Sequence, residues 1–182
     1  MTNEEILSPE EFARALSVSR ETMDRLLIYK ELLVKWQKAI NLVSPKSLTD
    51  CWRRHFLDSA QLKDLIPSSS NSLLDIGSGA GFPGMVLAIL DVRNVVLVES
   101  DHRKCMFLQE VSRETSTAVT IINDRIEKVT PKQYDVVTSR ACAPLDVLLN
   151  YARPYLGNAT VCLFPKGRTV DEELTTAIKR WN

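Results

Sequence analysis

Beyond residue 71, five short β-rich runs, "SLLDIG", "NVVLVES", "AVTIIND", "YDVVTSR" and "ATVCLFPK", alternate with helical segments such as "HRKCMFLQEVSRET" and "PLDVLLNYARPYL". Strands separated in this way by helices need right-handed crossovers, and they build a parallel sheet covered on both faces. The expected fold class is α/β, a doubly wound and mainly parallel sheet. Ligands of such sheets bind beyond the carboxyl ends of the strands. The stretch "LLDIGSGAGFPG", residues 73–84, falls there and holds four of the chain's six glycines.

The segment before the sheet reads as helix. In "SPEEFARAL", Ser8 is placed as an N-cap, with Pro9 at the first helical position and two glutamates in the first turn. A second helix is expected after Ser19, where Met23, Leu26, Leu27, Leu33, Val34 and Ile40 recur at helical spacing. A third is expected through "LTDCWRRHFLDSAQLKDLI", ending at Pro67, and "PSSSNS" then reads as a short linker. The expected organisation is a helical extension over residues 1–67 and a core over 68–182, together forming one compact domain.

Composition excludes several classes. Lys+Arg and Asp+Glu both number 23, so nothing in the overall charge marks a nucleic-acid binder. The cysteines at 51, 105, 142 and 162 show no metal-binding spacing or disulfide framework, and no metal is expected. The start "MTNEEIL" is acidic where a secretory signal is basic, and no apolar run has the length of a membrane span. A soluble, cytoplasmic protein is expected.

Gly79, Gly81 and Gly84 literally match the dinucleotide fingerprint GxGxxG. Pro83 lacks one of the N–H groups that a pyrophosphate cradle would use, and Asp75 places a carboxylate near the turn. The stretch reads better as D-x-G-x-G on Asp75, Gly77 and Gly79, beside a cationic ligand. Glu99 ends the next expected strand, where an acidic side chain can accept hydrogen bonds from both ribose hydroxyls of an adenosine. A ribose carboxylate without a phosphate cradle points to S-adenosylmethionine. In the plainer alternative, Asp75 caps a helix and Glu99 faces solvent.

In order, "NLVSP", "RRHFLDS", "LLDIGSGAGFPG", "NDRIEK", "VVTSRACAP" and "FPKG" resemble the bacterial small-subunit ribosomal RNA guanine-N7 methyltransferases, the glucose-inhibited division B family. The resemblance runs over residues 41–167. It implies a class I methyltransferase fold with an N-terminal helical extension. It also implies cofactor contacts from the glycine loop (Gly77, Gly79 and Phe82), from Ile126 and Glu127, and from Arg140. Members of the family normally continue with a final pair of strands, whereas this sequence stops at "AIKRWN", so those strands are expected to be missing. The implied substrate is 16S rRNA or the small ribosomal subunit, acted on by a monomer.

On the substrate side, residues 35–56 carry Lys35, Lys38, Lys46, Arg53 and Arg54 against the single acid Asp50, with Trp36, Trp52 and His55 interleaved. Charge with stacking suits RNA. A solvated helical face with buried tryptophans is the other reading. His55 and Asp58 lie three apart on one helical face, so the carboxylate can orient the imidazole or both can meet the nucleotide. Lys166, just after the fifth strand, is placed to meet phosphate or base. The resemblance gives His55, Asp58 and Lys166 the catalytic role. Guanine N7 carries no proton, so its attack on a sulfonium methyl needs orientation and desolvation but no general base. "TSRACAP" stands where amino-group methyltransferases carry an N-P-P-Y type segment. Cys142 reads either as the nucleophile of a C5-pyrimidine methyltransferase or as a small buried residue. Two other functions compete: an NAD-dependent oxidoreductase using the literal GxGxxG, and a non-catalytic methyltransferase-like RNA-binding module.

Overall fold

The computed structural model describes residues 6–140 and 142–181. Its first third is helical, with α1 (Pro9–Leu16), α2 (Arg20–Gln37) and α3 (Pro45–Leu48). Ser8 and Glu11 form a reciprocal capping box at the start of α1, and Ser19 caps α2 by accepting from the Thr22 amide. The expected third helix is instead segmented. A π-helical turn (Trp52–Leu57) leads into α4 (Asp58–Ala60) and then a 3-10 turn (Gln61–Leu65). The wide turn buries Trp52, His55 and Phe56 while Arg54 and Asp58 stay exposed. Such π-turns recur at functional sites.

Five parallel strands follow in the order β3-β2-β1-β4-β5. They are β1 (Leu73–Ile76), β2 (Val95–Glu99), β3 (Thr120–Asn123), β4 (Tyr134–Thr138) and β5 (Leu156–Leu163). Between them run α5 (Gly84–Ile89), α6 (His102–Glu114) and α7 (Leu145–Ala152), and α8 (Val170–Trp181) follows β5. Strand order reverses between β1 and β4, the topological switch point at which α/β sheets open a binding crevice. The doubly wound parallel sheet is as the alternation predicts, and β5 lies at its edge among the described residues.

Each face of the sheet has its own core. Leu74, Ile76, Val98 and Val137 pack with Tyr155 on one side. On the other, Leu73, Leu97 and Phe107 join Phe12, Leu26, Tyr29 and Phe56 of the helical segment. Residues on both sides of the serine-rich linker therefore share one apolar cluster. Trp52 belongs to it, against Phe12 at 5.1 Å and Phe56 at 4.7 Å between ring centroids, and Trp36 meets Phe107 at 5.8 Å. The expectation that these tryptophans lie against RNA is corrected for Trp52, which is buried because its indole completes the core beneath α1.

Candidate active site

A cleft of about 1350 Å³ opens over the carboxyl ends of the strands, walled by the sheet on one side and by residues 42–65 on the other. The loop after β1 forms its floor. At Gly77 the backbone is left-handed (φ +66°), and a Cβ would lie 2.5 Å from Cys142 Sγ. At Gly81 (φ +91°) a Cβ would lie 2.6 Å from Tyr29 Oη and 2.9 Å from a Leu108 methyl. Bare backbone is needed here by close packing as well as by conformation. The Tyr29 hydroxyl donates to the Ala80 carbonyl, and its ring stacks on Phe82 at 5.3 Å, so α2 holds the loop from below.

Asp75 is fully buried and does not border the cleft. Its carboxylate accepts from Thr138 Oγ1 at 2.9 Å and from the Gly84 amide at 3.2 Å, and burial pushes its pKa up to about 6. Its reading as an anchor beside a cationic ligand is corrected to the plainer one: the side chain ties the start of α5 to β4. That bond also consumes an amide that a diphosphate at the literal GxGxxG would require.

Glu99 borders the cleft, nearly buried, with Oε2 accepting from the Gly79 amide and Oε1 from the Asp101 amide, both at 2.8 Å. A carboxylate has about four acceptor positions, so two remain for a ligand. Ile126 is buried in a 3-10 turn (Ile126–Lys128), and the exposed Glu127 lies beside Tyr151, whose phenol its charge holds above the usual range. Gly77, Gly79, Phe82, Glu99, Ile126, Glu127 and Arg140 all line one cleft. The Phe82 ring, however, is spent on packing, between Tyr29 and His55.

Arg140 joins the two walls. It donates through Nη1 to the Arg54 carbonyl at 3.0 Å and through Nη2 to His55 Nδ1 at 2.8 Å, with its guanidinium 5.1 Å above the Phe82 ring. A guanidinium only donates. His55 Nδ1 is therefore unprotonated, and Nε2–H donates to Ser47 Oγ at 2.9 Å. Burial first, then the charges of Arg140 and Arg54, lower the His55 pKa to about 4, so the ring is neutral at physiological pH. The expected Asp58–His55 pair does not form, because Arg140 and Ser47 take both ring nitrogens. Asp58 borders the same cleft, exposed.

Lys166 also reaches the cleft, but Nζ donates to the Ala143 carbonyl at 2.7 Å and pairs with Glu173 Oε2 at 2.8 Å. The same Glu173 carboxylate accepts from the Leu145 amide at 2.8 Å, and the bond from Lys166 holds its pKa below the usual range. Cys142 is exposed on the cleft wall, which corrects its reading as a buried filler. Desolvation raises the thiol pKa, so it is a poor nucleophile at neutral pH. Among the described residues no cluster of His, Cys, Asp or Glu can hold a metal, and no helix is long and apolar enough to cross a membrane.

The family model described as rRNA small subunit methyltransferase G matches residues 22–182. The chain belongs to that family. The protein named ribosomal RNA small subunit methyltransferase G in Paramagnetospirillum magneticum is 56% identical over 176 residues, spanning 97% of this chain and 86% of the relative. Its namesake in Rhodospirillum rubrum is 51% identical over 175 residues, spanning 96% and 87%. Solved structures are more distant and bear on the fold alone. A Klebsiella pneumoniae structure assigned to an O-methyltransferase aligns with TM-score 0.60 at 15% identity, over 94% of this chain and 82% of that one. Pyrococcus horikoshii TYW2, solved in complex with MeSAdo, aligns with TM-score 0.53 at 12% identity, over 66% and 49%.

In this member of the methyltransferase G family, sequence reasoning missed Tyr29, Ser47, Tyr151 and Glu173. Tyr29 sits at core spacing on α2, and its hydroxyl finds a partner 51 residues away. Nothing local signals that. Ser47 has a weak signal, since a hydroxyl one or two turns before a helical histidine can set its tautomer.

Proposed function

We propose that the protein transfers a methyl group from S-adenosylmethionine to N7 of a guanosine in 16S rRNA, with the assembled small subunit or its RNA as substrate. The family makes it an S-adenosylmethionine-dependent rRNA methyltransferase. The observation that carries the assignment of the site is the convergence of Gly77, Gly79, Glu99, Ile126, Glu127 and Arg140 on one cleft at the switch point. Those residues suit the cofactor chemically. Glu99, fixed by two amides, keeps acceptor capacity for a ribose, and the acidic Glu99, Asp124 and Glu127 line the wall that would hold a cation.

When bound, the cofactor supplies an electrophilic methyl on a positively charged sulfur. This chain's own task is then to position and dry the acceptor. Guanine N7 presents a lone pair without a proton, which agrees with a site whose histidine has both nitrogens engaged and whose cysteine is held as the thiol. Arg140, held by His55 and the Arg54 carbonyl, fixes the gap between the walls. Lys166 and Glu173 brace the segment after Arg140. Lys35, Lys38, Lys46 and Arg54 are exposed on the extension, residues 1–67, which we assign to the rRNA phosphates. Arg53 instead pairs with Asp50 at 3.5 Å. The protein acts as a monomer in the cytoplasm, where small subunits are made.

Titration calorimetry separates this reading from the oxidoreductase. S-adenosylmethionine should bind and NAD should not. Glu99→Ala should weaken the cofactor by about 1–3 kcal/mol, the cost of leaving buried polar groups unpaired. Wild-type affinity in that variant would remove Glu99 from the site.

A further inference from the structure

Ligand pockets commonly enclose about 300–1,000 Å³. The cleft here, at about 1350 Å³, has room for more than one ligand, and its two walls differ in kind. The sheet wall carries the glycine loop and Glu99. The wall built by residues 42–65 offers apolar surface from Leu42, Val43, Leu62 and Leu65, with Arg54 and Asp58 among it. Leu65 is 59% exposed and borders the cleft, so its side chain is open to a ligand there.

Attack by N7 commits one edge of guanine to the methyl donor. What remains to identify the base is the opposite edge, N1–H and the 2-amino group, which are both donors. A reader of that edge must accept hydrogen bonds twice, as a carboxylate does. Most acids lining the cleft are engaged already. Glu99 holds the Gly79 and Asp101 amides, Asp124 the Arg125 amide, Glu173 the Leu145 amide and Lys166, and Glu127 the Tyr151 hydroxyl. Asp58 takes no hydrogen bond or ion pair among the described residues, and it is the acid on the extension side of the cleft. Burial raises its pKa above the usual carboxylate value, and the charges of Arg140 and Arg54 oppose that rise.

We propose that the half of the cleft walled by residues 42–65 is the acceptor-base pocket and that Asp58 reads the guanine there, accepting from N1–H and the 2-amino group. The inference rests on the guanine-N7 reading above. It makes Asp58 a specificity-determining residue, and it separates base recognition on the extension from cofactor binding on the sheet.

The test uses small subunits reconstituted with rRNA carrying guanosine or inosine at the modified position. Inosine keeps N7 and N1–H but lacks the 2-amino group. Both methyl transfer and equilibrium binding are measured, so a variant too slow to assay still reports its preference. The wild-type protein should favour guanosine by about 5- to 150-fold, the effect of leaving one carboxylate oxygen without its donor when water is excluded. Asp58→Ala should bring that ratio close to one while cofactor affinity stays within twofold of wild type. A wild-type ratio near one, or an undiminished preference in Asp58→Ala, overturns the proposal. If the wild-type protein yields no aniline-sensitive product on guanosine subunits, the guanine-N7 reading fails instead, and this inference falls with it.

Discussion

Replacing Arg140 by alanine is expected to lower kcat/KM for rRNA methylation by about 100-fold or more, or roughly 3 kcal/mol of transition-state stabilisation. The residue makes three contacts that span the cleft: the Arg54 carbonyl, His55 Nδ1 and the face of Phe82. Its loss leaves the His55 acceptor and a carbonyl without their donor, at about 1–3 kcal/mol for each such group when buried. It also frees the extension wall to drift from the sheet wall, and misplacement of about 1 Å can itself cost about 100-fold. Arg140→Lys should recover only part of the rate, because a single ammonium cannot bridge two acceptors in a fixed fork. Steady-state kinetics alongside thermal melts would check this. Wild-type kcat/KM in the alanine variant would mean that the link between the walls is irrelevant to turnover.

Gly81→Ala is expected to destabilise the fold by about 2–5 kcal/mol. A φ of +91° costs an L-residue on the order of 1–2 kcal/mol. The added methyl meets Tyr29 Oη at 2.6 Å and Leu108 and Met85 carbons at 2.9 Å, an overpacking that costs about 1–3 kcal/mol more. Because Tyr29 also holds the Ala80 carbonyl, the strain should spread along the glycine loop. Gly167→Ala is the control: nothing lies within 4 Å of its Cβ position, and its denaturation midpoint should stay close to wild type. Equal midpoints for the two variants would contradict the packing account of the loop.

The parallel sheet was legible because its strands are short apolar runs bounded by turn residues, and Ser8 and Ser19 announced their helices through local capping chemistry. What escaped notice depends on partners far along the chain. Asp75 looked like a ligand carboxylate because its sequence position is beside the glycine loop. Only the pairing of β1 with β4 brings Thr138 within 2.9 Å and turns the side chain inward. His55 and Asp58 share a helical face, yet the imidazole is claimed by an arginine 85 residues away. Lys166 reads as placed to meet phosphate or base because α8, which brings Glu173 to it, lies beyond the motif. The π-turn has no local signal in the sequence; it sets Trp52 against Phe56 and His55 against Phe82, and Phe82 lies outside the segment.

Methylation of guanine N7 in small-subunit rRNA by this cleft would leave a chemical mark that can be read directly. Small subunits never methylated at this site would be incubated with the protein and S-adenosylmethionine labelled in its methyl group. The recovered 16S rRNA would then be treated with borohydride and aniline, which cut selectively at N7-methylguanosine. Incorporated label and one new strand break are expected, both dependent on the protein. Label without scission, or no label at all, would contradict N7 methylation by this cleft.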